Sequence, residues 1–198
     1  MLNRRQFAAS LVATSAVALT TGPGLALSGG QAETLVQSAV SDINRIIASG
    51  KSQNAMIADF ERVFNRYADV YFIALVTLGP ARRTASKSEV DAYVSAFRGY
   101  FTRKYGKRFN EFVGGEITIN GSRKVKNDVQ VDTTARLRGQ SPFSVTWLVS
   151  DRSGSAKISN IIIEGINTLT SERTEIGAML DRRGGSVSRL TADLRKLG

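Results

Sequence analysis

Histidine and cysteine are both missing from this 198-residue chain, which decides much of what its side chains can do. A thiolate nucleophile, a His-containing triad and the usual His/Cys zinc site are excluded. Proton transfer falls to carboxylates and phenols. An Asp–Tyr pair in an apolar pocket can do such work, and Asp69 with Tyr71, or Asp132, are the residues available for it. Nothing in the spacing forces such a pair together. Glu164-Gly165 reads as structural: the glycine permits a bend or bulge in the last strand, with Glu164 expected to pair with Arg173. Arg82 and Arg83 follow a Gly79-Pro80 break. A guanidinium there can grip a phosphate through paired hydrogen bonds, or stand as solvated loop charge. Lys104, Lys107 and Arg108 continue a basic face that could meet anionic lipid or a partner, although a charge run is more often solvated surface.

The first 27 residues say where this chemistry would operate. Asn3-Arg4-Arg5-Gln6-Phe7 sets paired arginines beside an aromatic, and Ala8 to Thr21 is mildly apolar and uncharged. Pro23 and Gly24-Leu25-Ala26 supply a turn and small residues where a signal peptidase reads. Basic start, apolar middle and small-residue exit make an export signal, and the adjacent arginines indicate the bacterial twin-arginine route. The apolar run is too short for a spanning helix, which needs ~20 apolar residues. Residues 1–27 are therefore read as a cleaved leader and 28–198 as one envelope domain. The chain is 42% apolar and 22% charged, as globular proteins are. Its net charge is +10; the leader holds two arginines and no acid, so +8 stays with the mature domain. In an exported protein that balance points to anionic lipid surfaces or acidic proteins rather than nucleic acid, or to plain solubility charge.

Helical spacing governs the first half. Leu35, Ala39, Ile43 and Ile46/Ile47 share a face that stops at Gly50, and Ser52 opens a helix carrying Met56/Ile57, Phe60, Val63/Phe64 and Tyr67. Asp69 to Leu78 is apolar almost all round, which predicts burial on most sides. Ser86-Lys87-Ser88-Glu89 is a capping box for a helix with Val90, Tyr93/Val94, Phe97, Tyr100/Phe101 and Tyr105 in one stripe. After Gly114-Gly115 the period becomes two. Ile117 and Ile119 mark a strand closed by an Asn120-Gly121 turn. Val129, Val131, Thr133, Ala135 and Leu137 face inward on a second strand; Phe143, Val145, Trp147 and Val149 do so on a third. Ile158 to Ile166 reads as a fourth, covered on both faces. Helical segments Ser171 to Arg182 and Ser186 to Leu197 end the chain. The predicted fold is α+β, with N-terminal helices packed on a twisted, mainly antiparallel four-stranded sheet and C-terminal helices after it.

Three blocks carry a family likeness. Leu78-Gly79-Pro80-Ala81-Arg82-Arg83-Thr84-Ala85-Ser86 follows the apolar segment from Asp69. Phe97 and Tyr105 stand at set distances along the capped helix; Glu164-Gly165-Ile166 precedes Arg173, Gly184 or Gly185, Leu190 and Leu194. In this order they resemble the MlaC-like, or toluene-tolerance auxiliary, family of periplasmic lipid carriers, over roughly Ala32 to Leu197. The sequence departs from the family pattern at Arg82, where the loop usually has Trp, and at Lys157-Ile158, where a Trp usually opens the last strand. Asn160 replaces a frequent Asp, Asn167 the usual Ser and Ile176 the usual Phe. These changes bear on which lipid is held. A hopanoid-associated branch of the family makes a sterol-like cargo the alternative.

The resemblance implies an NTF2-like cone that carries phospholipid between inner and outer membranes, without chemistry, metal or cofactor. It implies a periplasmic monomer. Its partners would be an inner-membrane ABC transporter with a lipid-binding ring and an outer-membrane lipoprotein–porin complex. Acyl chains would sit between sheet and helices with the head group near solvent. Two chains expose some thirty methylenes, whose transfer to water costs roughly 20 kcal/mol or more at ~0.8 kcal/mol each. Such cargo calls for a pocket near the top of the ~300–1,000 Å³ range. Tyr71, Phe72, Val76, Phe97, Phe101, Val131, Val145 and Trp147 are the candidate lining, with Arg82 and Arg83 for the head group; ordinary core packing would equally explain the apolar ones. Two readings from other classes remain: a small isomerase-like periplasmic enzyme, and an adaptor whose pocket its own side chains fill.

Overall fold

The computed structural model describes residues 27–198; of the expected leader only Leu27 falls within them. Ser28 opens the first helix through a capping box. Its hydroxyl accepts from the Gln31 N–H at 3.3 Å, and the Gln31 side chain accepts from the Ser28 N–H at 3.0 Å. Helix α1 (Gly29–Ile47) follows, then α2 (Gln53–Tyr67), α3 (Val70–Leu78), a short 3-10 turn (Gly79–Arg83) and α4 (Lys87–Gly106). The box that starts α4 forms as its sequence predicts, with Ser86 and Glu89 bonded both ways at 3.3 and 3.0 Å.

Strands β1 (Glu116–Val125), β2 (Asp128–Arg136), β3 (Phe143–Ser150), β4 (Lys157–Ile163) and β5 (Ile166–Asn167) pair antiparallel in chain order. Helices α5 (Thr168–Arg182) and α6 (Val187–Leu194) complete the described residues. The architecture is α+β. Period-two burial on β2 and β3 turns Val129, Val131, Thr133, Ala135, Val145, Trp147 and Val149 inward. Among the described residues no helix is long and apolar enough to cross a membrane.

Three local expectations change. Asn120-Gly121 is no turn: pairing to β2 continues on both sides, with Ile119 opposite Thr133 and Ser122 opposite Val131. Asn120 is the extra residue of a bulge, and pairing resumes at Gly121 opposite Asp132, with a φ of 147° that glycine tolerates. The chain reverses instead at Lys126-Asn127, with Lys126 at φ 55°. Second, Ile158 to Ile166 is not one strand. Glu164 and Gly165 both take positive φ, 49° and 81°, making the tight turn that pairs Ile163 with Ile166 and adds a fifth strand. Ile166 is 65% exposed there, so this end is not covered on both faces. Arg173 lies against Gly79, and Glu164 stands exposed at the turn. Third, α3 is not buried all round, for Tyr71 is 54% exposed.

The helices form one sealed core, in which Ala74, Phe97, Ile176, Leu190 and Leu194 are inaccessible. A second core lies under α1, where Ala32, Val36 and Ala39 cover Val131, Val145 and Trp147.

Candidate functional site

Where α1, α2 and α5 approach β3 and β4, packing leaves a cavity of about 120 Å³. Ala39 and Ile43 of α1 form one side, Phe60, Val63, Phe64 and Tyr67 of α2 the next. Ile73, Phe101, Trp147, Ile158, Ile161 and Leu169 close it. The wall is almost wholly carbon, the polar side chains along it being Tyr67, Ser159, Asn160, Thr168 and Glu172.

Trp147 shows how the sequence makes an apolar wall from an amphipathic residue. Alternation on β3 aims it inward. Its indole N–H donates to the Thr133 hydroxyl at 3.1 Å, and that hydroxyl donates to the Val145 carbonyl at 2.7 Å. With the polar edge satisfied, the ring offers only carbon to the cavity. Phe101 stacks on Phe64 at 4.6 Å with rings 12° from parallel, which fixes α4 against α2. Tyr67 donates its phenol proton to Asp42 at 2.7 Å, tying α2 to α1. That bond holds the Asp42 carboxyl below its ordinary range and the Tyr67 phenol above its own.

At Glu172 the wall becomes ionic. This residue is 2% exposed. Its Oε1 accepts from Lys104 Nζ at 2.7 Å and from the Tyr105 hydroxyl at 2.6 Å. Lys104 also reaches Glu175 at 2.6 Å, and Tyr100 donates to Glu175 at 2.6 Å. Burial drives the Tyr100 and Tyr105 phenols well above the ordinary range, and their glutamate partners add to it. Burial works against the Lys104 ammonium, but its bonds to Glu172 and Glu175 outweigh that and raise its pKa. Glu172 Oε2 is buried and has no hydrogen-bond donor among the described residues.

Two asparagines position this glutamate. Asn167 caps α5, its Oδ1 accepting from the Thr170 N–H and from Asn160 Nδ2, both at 3.0 Å. Asn160 Oδ1 in turn accepts the backbone N–H groups of Ile161 and Leu169, at 2.8 and 3.2 Å. The start of α5 is thereby pinned to β4, and Glu172 follows a turn later.

Of the lining residues expected from sequence, the structure puts Phe101 and Trp147 on the cavity wall. Phe97 packs inside the helix core, while Val131 and Val145 share the inward sheet face with Trp147 in the core covered by α1. Phe72 lies under the Arg152 guanidinium at 4.0 Å, and Val76 is half-buried. Arg82 and Arg83 are exposed, Arg82 donating to the Leu75 carbonyl at 3.2 Å. The volume is also far below the range a phospholipid calls for.

The candidate acids do not converge. Asp69 caps α3, accepting from the Phe72 N–H at 3.1 Å, while Tyr71 is exposed. Asp132, on the strand face away from the buried residues of β2, accepts from Gln130 and Thr146 at 2.8 Å and from Arg123 at 3.3 Å. Among the described residues no cluster of acidic side chains could hold a metal ion. Glu172 is the polar cavity residue that sequence reasoning passed over. Its signal was there: Glu172, Ile176 and Leu180, four apart, form the buried stripe of α5, so a carboxylate stands where carbon is expected.

The model of a family described as MlaC protein matches residues 35–196, from within α1 to beyond α6. The chain belongs to the MlaC family. One solved structure is similar to it: the phospholipid-binding protein from Ralstonia solanacearum, determined in complex with a phospholipid, at a TM-score of 0.72. That match covers 83% of this chain and 95% of the other at 19% identity, so what it shows is a shared fold. MlaC membership confirms the resemblance read from the loop after α3, the capped helix and the Glu164-Gly165-Ile166 block.

Proposed function

We propose that this protein is a periplasmic carrier that holds phospholipid with its acyl chains between α1–α2 and the sheet, and moves it between membranes without chemistry. The observation that carries the reading is the carbon-walled cavity in a chain of the MlaC family. The Ralstonia solanacearum protein of the same fold binds a phospholipid, which supports the cargo class. The leader-like residues 1–27 support export, and the mature domain would begin near Ser28. An inner-membrane ABC transporter complex and an outer-membrane lipoprotein–porin complex are the partners this role requires, with the carrier a monomer between them. Asp69, Tyr71 and Asp132, standing apart, give the enzyme reading no support.

Size sets a condition on the mechanism. A cavity near 150 Å³ holds about one benzene ring, and this one is about 120 Å³. Loading an acyl chain therefore requires α1 and α2 to move off β3 and β4. Tyr67–Asp42 joins the two helices, so they would move together. Phe101 and Trp147 then meet chain carbon. Tyr71, Phe72 and Val76 on α3, with Arg82 and Arg83 just beyond it, form the rim in this reading, and the two arginines are its phosphate contacts.

Native mass spectrometry of the mature protein, purified from its host without detergent, tests the proposal. Phospholipid in near-stoichiometric amount is expected. A hopanoid in its place would redirect the cargo to the sterol-like alternative, and protein free of lipid in every preparation would overturn the carrier reading.

A further inference from the structure

Resting on the carrier reading, we propose that the exposed side of α3 and the arginines at its end dock on an anionic bilayer surface. Tyr71 is 54% exposed, and Leu75, four residues on, is half-buried on the same side of the helix. Arg82 reaches back along α3 and donates to the Leu75 carbonyl at 3.2 Å. Arg173 comes from α5 to the same end. Its guanidinium rests on Gly79, where a Cβ would meet Nε at 3.7 Å. Gly79 is buried with φ 65°, so the glycine both ends α3 and leaves that seat open. Arg83 is exposed next to Arg82, and Lys87, near the Tyr71 phenol, pairs with Asp91 at 2.5 Å. Among the described residues Arg82, Arg83 and Arg173 enter no ion pair. Acids do not offset them. From 69 to 91 every carboxylate is committed: Asp69 caps α3, Glu89 is held by Ser86 and Ser188, and Asp91 by Lys87.

The composition of this face selects its partner. A guanidinium pairs with phosphate through two parallel hydrogen bonds. A tyrosine ring seats at head-group level with its hydroxyl toward water. Leu75 and Val76, both half-buried, add aliphatic surface between them. A bilayer offers all three contacts at once, and it is where the cargo resides. The basic run that the sequence offers for this purpose is spent inside the protein. Lys104 bonds Glu172 and Glu175, Lys107 donates to the Gly198 carbonyl, and Arg108 pairs with Glu111. Docking through α3 would set the rim directly against the membrane that gives or takes the lipid.

Co-sedimentation of the mature protein with vesicles tests this, using phosphatidylcholine alone and phosphatidylcholine mixed with phosphatidylglycerol. The natural protein is expected to bind the mixed vesicles about 10-fold or more tighter at low salt, each cation at an anionic surface being worth about 5-fold. Raising the salt should remove most of that preference. R82E/R173E is expected to lose at least about 10-fold on the mixed vesicles. R136E/R138E, which changes the net charge equally at the end of β2 and just past it, is expected to keep the natural affinity. Y71S, which takes away the ring and no charge, should lower binding while leaving its salt dependence unchanged. Should R82E/R173E fail to fold by circular dichroism, R83E, at an exposed side chain in no ion pair, must show the loss. Equal binding to both kinds of vesicle, or equal losses in the two double variants, overturns the proposal. Binding to neither also overturns it and leaves this face to a protein partner. The lipid content of the same preparations, read by native mass spectrometry, decides the carrier reading separately.

Discussion

Two adjoining regions of this molecule use the same side chains and end differently packed. Between α3, α4, α5 and α6, Phe97 fits against Tyr93 and Tyr100 while Ile176, Leu190 and Leu194 close around them, and Tyr93, Phe97 and those three aliphatics are inaccessible. One helical turn along α4, Phe101 stacks on Phe64 and borders a gap of about 120 Å³. Helix against helix lets ridges enter grooves. Helices laid on a sheet meet the flat faces of Trp147 and the β4 isoleucines, and the join is incomplete. The difference is one of opposing surface, not of composition, and it separates the part that stabilises from the part that can receive a ligand.

The largest effect should come from the ionic seam between the two regions. Lys104→Met leaves the buried Glu172 carboxylate with Tyr105 as its donor. Stripping one partner from a buried pair costs about 3–5 kcal/mol, read as a shift in the denaturation midpoint. A loss under about 1 kcal/mol, the worth of an exposed pair, would show the seam is not integral to the core.

Next come two substitutions of the same kind with opposite signs. Ala74, inaccessible in the sealed core, has no room for a larger side chain, so Ala74→Leu should cost about 1–3 kcal/mol. Ala39 borders the cavity, so Ala39→Leu fills space and should raise stability by about 0.5–2 kcal/mol. Losses of equal size in both variants, by chemical denaturation, would erase the distinction between the regions.

The smallest effect is in pH. Glu175 is desolvated, which pushes its carboxyl up, but its bonds to Lys104 and Tyr100 prevail and lower it below the ordinary 4.5. Its contribution is complete above 4.5 and lost as the pH falls through the lowered value. Lys104, Tyr100 and Tyr105 are raised above their ordinary 10.5, 10.0 and 10.0. Their contributions are whole below those values and lost as the pH climbs through the raised ones. With no histidine in the chain, Tm should be flat from about pH 6 to 9 and fall on both sides. A slope within that window would contradict the assignment.

Much of this fold is legible in the residues themselves. The Ser86/Glu89 box and the α2 and α4 stripes give their helices, and alternation through Val131, Thr133, Val145 and Trp147 gives the strands and their inward face. Turn chemistry misleads where the partner strand decides. Asn120-Gly121 is a bulge because β2 keeps pairing past it, and Glu164-Gly165 is a turn because Ile166 folds back on Ile163. The cavity is harder to read. Periodicity tells that Phe97 and Phe101 both face inward, but not that one meets Leu190 and its neighbours while the other meets a gap. Glu172 was readable as a charge in an apolar stripe; its unpaired oxygen follows only from where Lys104 and Tyr105 point.

The most direct test of the account is uptake of a fluorescent phospholipid from vesicles by the natural mature protein and by Ala39→Leu, alongside their thermal unfolding. The natural protein should extract roughly one lipid per chain, and Ala39→Leu should take up little while unfolding at the same or a higher temperature. An Ala39→Leu protein that is folded and loads as fully as the natural one would mean that the lipid sits elsewhere than in this cavity.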